Sequence, residues 1–468
     1  MPHPNQPVKM RLFGRLLSRR GALRLMAAAS AAGAMGAFPG NLFSAPTNGK
    51  KPNVLFILTD DHRYDHMGCA GHPFIKTPNL DRLASQGVYF NNSFVTSSLC
   101  SPSRASFLTG QYAHTHGVQN NLTPWDNGNV TFLERFKQEG YDTAFLGKWH
   151  MPGELPKLRG VDEFVTFTVR GGQGQYWDCP LIVNGEDAKP NKRYITEELT
   201  DRAINFIDRE SDNPFCLYLS HKAAHHDWKP PTDLKDLYSD EELPLAEEAD
   251  TWVTMTNGAV FCGTTGTLQY HYRNYCRVVA SVDRQVGRLL KFLEDKGLAD
   301  NTIVVYAGDN GYFWGEHRKI DKRWAYEESI RIPFMIRAPG VVPDPGRKAD
   351  QMALNIDLAP TLFDLAGIEP HAGMEGQSLA PILRNGRTPG REAWLYEYFK
   401  DYPYNVPAIQ AIRTQNNIYI EYESSRKPEY YDLQADPKEK QNIYDQLEAA
   451  DISRYQQMIA AFAKEGRL

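Results

Sequence analysis

Four short apolar runs in this 468-residue chain each end in side chains able to bind ions or move protons. Residues 53–58 (NVLFIL) lead into Thr59-Asp60-Asp61, and residues 143–146 into Gly147-Lys148-Trp149-His150. Residues 215–219 lead into Ser220-His221-Lys222, with His225 and His226 just beyond, and residues 302–306 (TIVVY) into Ala307-Gly308-Asp309-Asn310. Asp60, Asp61, Asp309 and Asn310 are hard oxygen ligands. Three carboxylates in one cleft repel one another unless a cation lies between them. An oxygen-only donor set selects Ca2+, Mg2+ or Mn2+ over zinc. Each pair by itself also suits an ordinary turn or helix cap.

The elements that must position these residues follow from the pattern around them. The four runs are apolar throughout and do not alternate, which suits strands covered on both faces. Helical spacing separates them at 80–87, 132–140 and 278–297, each closed by a glycine. Strand–helix alternation predicts an α/β fold with a large, mostly parallel sheet flanked by helices. Ligands of such sheets bind beyond the carboxyl ends of the strands, so the four polar clusters are expected to converge although they span more than 250 residues. Residues 332–336 are a further strand candidate. A turn-rich stretch at 384–391 (RNGRTPGR) then marks a boundary between a catalytic domain at 50–385 and a small C-terminal subdomain at 390–468. Short runs at 408–413, 418–422 and 430–433, followed by helical spacing at 452–463, predict a smaller antiparallel sheet plus a helix there.

The charge distribution separates an address from the fold. The first 45 residues hold six basic residues and no acidic one, leaving 46 basic against 57 acidic groups in the remainder. A net-acidic body argues against nucleic acid or an anionic membrane as the main partner. Arg19-Arg20 followed by a mildly apolar, Ala/Gly-rich stretch at 26–38 reads as a twin-arginine export signal at 1–45, with Ala34 or Ala45 near the cut. The mature protein is then periplasmic or secreted, with no membrane insertion after signal removal. There its six cysteines are free to form disulfides.

Residues 100–110 read Cys-Ser-Pro-Ser-Arg-Ala-Ser-Phe-Leu-Thr-Gly. A buried cysteine before a helix, capped by Ser101 or Ser103 with Pro102 in the first turn, accounts for the start of this string but not the whole of it. The string resembles the signature of the sulfatases, the formylglycine-dependent branch of the alkaline phosphatase superfamily. The likeness runs in order along the mature chain: TDDHRYD at 59–65, GKWHMPG at 147–153, HKAAHH at 221–226, GDNGYFWGEHRKIDKRWAYEES at 308–329 and YDLQADPKEKQN at 430–442. It implies that a maturation enzyme oxidises Cys100 to formylglycine. It also implies a metal, usually Ca2+, held by Asp60, Asp61, Asp309 and Asn310 and touched by the modified Cys100. By the same resemblance, Arg104 holds the formylglycine, and Lys148, His150, His225 and Lys322 contact sulfate and leaving group. The implied nucleophile is the hydrated aldehyde: one hydroxyl attacks sulfur, and the second lets sulfate be expelled as the aldehyde reforms. Two lysines and a divalent cation suit charge building on sulfate oxygens. His150 is the candidate for deprotonating formylglycine, and His225 or Lys322 for protonating the leaving oxygen.

Other residues carry two readings. His221 and His226 flank His225, and Lys319 competes with Lys322, which fits the family string better. His317, in Gly-Glu-His, reads equally as a residue that touches the site directly or as one that stands behind those that do. His62 stands where many relatives have glutamine. His114 and His116 read as surface or packing residues, and Arg413 as a link between the two parts. The aromatic stretch 174–178 is either a wall for a glycan or ordinary packing. The chain as a whole reads as an exported hydrolase of sulfated glycans or small sulfate esters, its loops and residues 395–413 resembling bacterial glucosamine-6-sulfatase-like enzymes. The alternatives are a phosphonate monoester or phosphodiester hydrolase of the same superfamily, and a sugar-binding protein that has lost catalysis.

Overall fold

A computed structural model describes residues 50–465 apart from 156–157, 190–191, 210, 248 and 250–266. The segment read as an export signal, residues 1–45, and Cys262 lie outside the described residues. The five described cysteines, Cys69, Cys100, Cys179, Cys216 and Cys276, are free thiols. Among the described residues no helix is long and apolar enough to cross a membrane.

The larger part is built from β1 (Asn53–Thr59), α1 (Pro78–Ser85), β2 (Val88–Phe90), α2 (Cys100–Thr109), α3 (Phe132–Gln138), β3 (Asp142–Gly147) and β4 (Glu163–Thr166). It continues through α4 (Ile195–Ile207), β5 (Phe215–Ser220), α5 (Leu268–Asp295), β6 (Thr302–Gly308), β7 (Phe334–Arg337), β8 (Arg347–Ala349) and α6 (Leu358–Ala366). One ten-stranded sheet runs β8-β2-β7-β6-β1-β5-β3-β4 and ends in two two-residue strands, Ile182–Val183 and Glu186–Asp187. Its middle, β6-β1-β5-β3-β4, is parallel as expected. β7 pairs antiparallel with both β6 and β2, so the sheet is mixed towards its edges.

Burial explains why the strands show no alternation. Val54, Phe56 and Leu58 of β1 pack with Phe107, Leu108 and Leu362 on one face. Leu55 and Ile57 pack on the other face with Val278, Val282, Val286 and Leu289 of α5. A two-sided core asks for apolar side chains at every position, each contributing roughly 1.5–3 kcal/mol when fully buried.

The parallel register aligns the strand tips. Thr59 lies opposite Gly308, Leu58 opposite Ser220, and Gly147 opposite Ser220. Backbone bonds continue past the strands: Lys148 N donates to Ser220 O, His221 N to Leu58 O and Asp309 N to Thr59 O, each at 2.8 Å. Gly147 makes this possible. Its φ is 120°, and a Cβ there would fall 1.9 Å from Ser220 O.

The C-terminal part is a four-stranded antiparallel meander, β9 (Ala393–Tyr398), β10 (Ile409–Thr414), β11 (Asn417–Tyr422) and β12 (Glu429–Asp432), followed by α7 (Ala449–Glu465). β9 was not anticipated from the sequence: its six residues directly follow the turn-rich stretch, which reads only as a boundary. Trp394, Tyr396 and Ile412 of this sheet share one core with Phe94, Leu99 and Tyr326 of the larger part. His114 adds a polar tie. Its backbone N–H and Nδ1 meet the two oxygens of Glu397 on β9 at 2.9 and 2.8 Å, and Nε2 lies 3.6 Å from Glu375. Burial opposes its charge, but the hydrogen bonds and charges of Glu375 and Glu397 raise its pKa to about 9.

Two outcomes follow. Gly147→Ala combines a strained φ with a backbone clash and is expected to cost about 3 kcal/mol, read from the urea midpoint. His114 is protonated in the native state up to about pH 9 and near 6.5 when unfolded, so its stabilisation is full below pH 6.5 and is lost as pH rises through 9. His114→Gln should flatten the fall in urea stability between pH 6.5 and 9.

Candidate active site

α2 starts at Cys100, with extended Leu99 as its N-cap and no side-chain cap. The serines anticipated as caps do other work. Ser101 Oγ donates to the His150 carbonyl at 3.3 Å, and Ser103 Oγ lies 3.2 Å from the Asn355 amide nitrogen. Cys100 therefore stands in the first turn, where unpaired N–H groups favour negative charge. All ten residues of α2 are buried, and burial pushes the Cys100 thiol up to about 12. One turn on, Arg104 Nε donates to Asp309 Oδ2 at 2.9 Å, and its Nη1 donates to Lys148 O at 3.0 Å and Ser220 Oγ at 2.5 Å.

The strand tips deliver the acids. Asp60, Asp61 and Asp309 each place an oxygen within 4.8 Å of the other two, and Asp60, Cys100 and His225 form an overlapping group of the same size. Cys100 Sγ is 3.6 Å from Asp60 Oδ1. Asp61 N donates to Asp309 Oδ1 at 2.9 Å, and Asn310 Nδ2 to Asp61 Oδ1 at 2.7 Å. Lys148 Nζ pairs with Asp60 and Lys322 Nζ with Asp61.

Charge is finely divided here. Burial pushes Asp60 up, yet Lys148, Arg104 and Lys322 hold it well below the usual carboxylate range. Asp61 is pushed up by burial and by Asp60 and Asp309 against the pull of Lys322, and Asp309 by burial and Asp60. Asp61 Oδ2 and Asn310 Oδ1 are buried without a hydrogen-bond partner. A divalent cation would satisfy both oxygens and relieve the carboxylates, so the residues present fit an oxygen-ligated metal.

The two histidines are neutral: burial, reinforced by Lys148, drives His150 and His225 well below the ordinary imidazole value. His150 has φ 66°, and its Nδ1 is buried and unpaired. His225 Nδ1 lies 2.7 Å from the His226 carbonyl. A carbonyl only accepts, so Nδ1 carries the proton and Nε2 the lone pair. That Nε2 is 3.8 Å from Asp61 Oδ2.

The structure thus gathers Asp60, Asp61, Cys100, Arg104, Lys148, His150, His225, Asp309, Asn310 and Lys322. It distributes the ambiguous residues. Lys319 stacks over Trp324 at 3.9 Å, whereas Lys322 pairs with Asp61. His62 bonds Tyr306 Oη at 2.7 Å. His221 is buried with neither ring nitrogen paired, and His226 packs on the His225 ring at 4.2 Å. His317 stacks on Tyr326 at 4.2 Å and faces Glu328 at 3.4 Å. Arg413 links the two parts through Glu327 at 3.0 Å. Tyr176 packs inward, donating to His225 O at 2.5 Å, whereas Trp177 remains 41% exposed.

Three neighbours were not anticipated. Gln173 Oε1 accepts from Lys148 Nζ at 2.6 Å, Tyr275 Oη donates to Asp61 O at 2.9 Å, and Ser220 holds Arg104. Gln173 belongs to a loop without a motif, and Tyr275 to a helix face that reads as core. Only Ser220, at the end of an apolar run, carried a positional signal.

Residues 52–368 match the sulfatase family, and residues 315–464 the C-terminal part of N-sulphoglucosamine sulphohydrolase. The N-acetylglucosamine-6-O-sulfatase of Bacteroides thetaiotaomicron is 34% identical, over 86% of this chain and 84% of that protein. A structure solved with its substrate D-glucosamine-2-N,6-O-disulfate superposes with a TM-score of 0.81 at 30% identity, covering 89% of this chain and 98% of that one. The phosphonate monoester hydrolase of Agrobacterium radiobacter shares the fold, with a TM-score of 0.73 at 22% identity over 89% and 96% of the two chains. With that family match along most of its length, and with acids, lysines and Cys100 gathered at the strand tips, this chain belongs to the sulfatase family of the alkaline phosphatase superfamily and is a sulfuric ester hydrolase.

Proposed function

We propose that the protein is an exported sulfatase that hydrolyses sulfate esters of carbohydrates, using formylglycine made from Cys100 by a maturation enzyme and a divalent metal, Ca2+ first. The single observation that carries this is the approach of Cys100 to Asp60 (3.6 Å) inside a ring of three carboxylates, two lysines and Arg104. Asp60, Asp61, Asp309 and Asn310 would hold the metal, with residue 100 touching it. The metal would withdraw charge from sulfate oxygens. Formylglycine hydrate would supply a nucleophilic oxygen and a second hydroxyl through which sulfate leaves.

The chain's own groups divide the remaining work. Lys148 and Lys322 hold ammonium groups against Asp60 and Asp61 beside Cys100, where they would meet a bound sulfate in a buried setting in which each counts for more than in water. His225, with its lone pair on Nε2, is suited to accept a proton. The neutral His150 is tied by its carbonyl to Ser101, next to Cys100. Lys322 stays charged because Asp61 outweighs the cost of its burial, and it is the proton source for the leaving oxygen. N-acetylglucosamine 6-sulfate is the first substrate to try, since the 34%-identical relative is named for it. The arginine pair at 19–20 supports periplasmic or extracellular action.

The test compares a panel of sulfated monosaccharides and 4-nitrophenyl sulfate with a phosphodiester on one preparation. Sulfate release at least about 100-fold faster than phosphodiester cleavage is expected; the reverse order would favour the phosphodiester reading. Peptide mass spectrometry should find position 100 as the aldehyde, and Cys100→Ala should abolish turnover while leaving sugar binding measurable by calorimetry. Dialysis against a chelator should remove activity, and Ca2+ should restore it; full activity in metal-free protein would overturn the metal's role.

A further inference from the structure

Lys322 is flanked by two strained residues. Asp321 has φ 77° and Arg323 φ 88°, a region that non-glycine residues enter at a cost of order 1 kcal/mol or more each, and keep only when their surroundings over-determine them. Asp321 pairs with Arg323 itself. The other restraints on Arg323 come from the C-terminal subdomain. Tyr396 of β9 donates its hydroxyl to the Arg323 carbonyl at 2.7 Å. The Tyr404 ring lies under the guanidinium, 3.4 Å from its centroid. Asp401 Oδ2 stands 3.4 Å from Arg323 Nη2. The same Tyr396 hydroxyl lies 2.7 Å from Ser98 Oγ, two residues before Cys100, and Ser98 accepts from Ser329 at 2.9 Å. A carbonyl only accepts, so the chain runs Ser329 to Ser98 to Tyr396 to Arg323, with one proton per hydroxyl. All four residues are buried.

We infer that Tyr396, aided by Tyr404 and Asp401, is a positioning residue: the C-terminal sheet clamps Arg323 and so fixes where Lys322 points relative to residue 100. This rests on the reading of Lys322 as the group at the leaving oxygen. A clamp of this kind acts on kcat, because a misplaced ammonium weakens the transition state more than the bound ground state, and a misplacement of about 1 Å suffices for roughly 100-fold.

The experiment is a double-mutant cycle in the full-length, matured enzyme. Tyr396→Phe removes one hydroxyl and keeps the ring, and Tyr404→Leu removes the stacking partner. Each is measured alone and with Lys322→Ala, on the sugar sulfate turned over best and on 4-nitrophenyl sulfate. Tyr396→Phe is expected to lower kcat on the sugar ester about 10- to 100-fold with KM nearly unchanged. The loss should be smaller on the aryl ester, whose leaving oxygen needs little protonation, and should vanish in the Lys322→Ala background. Tyr404→Leu should repeat the pattern. If Tyr396→Phe lowers kcat equally with and without Lys322, or only lowers the melting temperature, the clamp is merely structural and the inference fails. If Lys322→Ala itself keeps wild-type kcat on both esters, the assignment of Lys322 is wrong, and the clamp falls with it for that separate reason.

Discussion

The constraint on which the structure turns is the containment of three carboxylates in a dry site. Asp60, Asp61 and Asp309 are all fully buried, and separating such charges from water costs several kcal/mol per ion unless partners replace the solvent. Lys148, Lys322 and Arg104 are those partners. They are also the groups that the proposed reading sets against a sulfate ester, so in that reading the charges that make the site tolerable are the ones that give it chemistry. The balance is incomplete in one respect: two buried oxygens, on Asp61 and Asn310, have no donor, and that deficit is what a cation answers.

Holding this arrangement needs a stiff frame. The four tips share one register through parallel pairing, and α2 meets them with its first residue, Cys100, and with Arg104 one turn on. Gly147 lets β3 bend against Ser220 at a distance no Cβ would allow. The C-terminal sheet adds no acid to the centre, yet it packs into the same core as the segment before Cys100 and grips the residue after Lys322. It reads as scaffolding for the chemistry as much as a covering for its flank.

Much of this was legible in the chain. The β1, β3, β5 and β6 runs announced themselves because a strand buried on both faces must be apolar at every position, and the residues at their ends were the ones brought together. The mixed edges were less legible. β7 is as apolar as its parallel neighbours, and nothing in a run of five residues tells an antiparallel partner from a parallel one. β9 escaped notice because it follows directly on a turn-rich stretch that reads only as a boundary. Gln173 and Tyr275 escaped because a loop glutamine and a helical tyrosine look the same whether they hold Lys148 and the Asp61 backbone or solvent.

The sequence by itself determined which residue types meet: acids and an amide, lysines, histidines and a cysteine, most of them placed just past the end of a strand or at the start of a helix. Only the tertiary structure decided how they share charge and protons. That His225 keeps its proton on Nδ1 depends on a carbonyl one residue away; that Lys322 rather than Lys319 reaches Asp61 depends on a backbone twist held by Tyr396, more than seventy positions later. Local patterns record what a residue can do, whereas orientation and protonation are set by neighbours that chain folding alone brings within 3 Å.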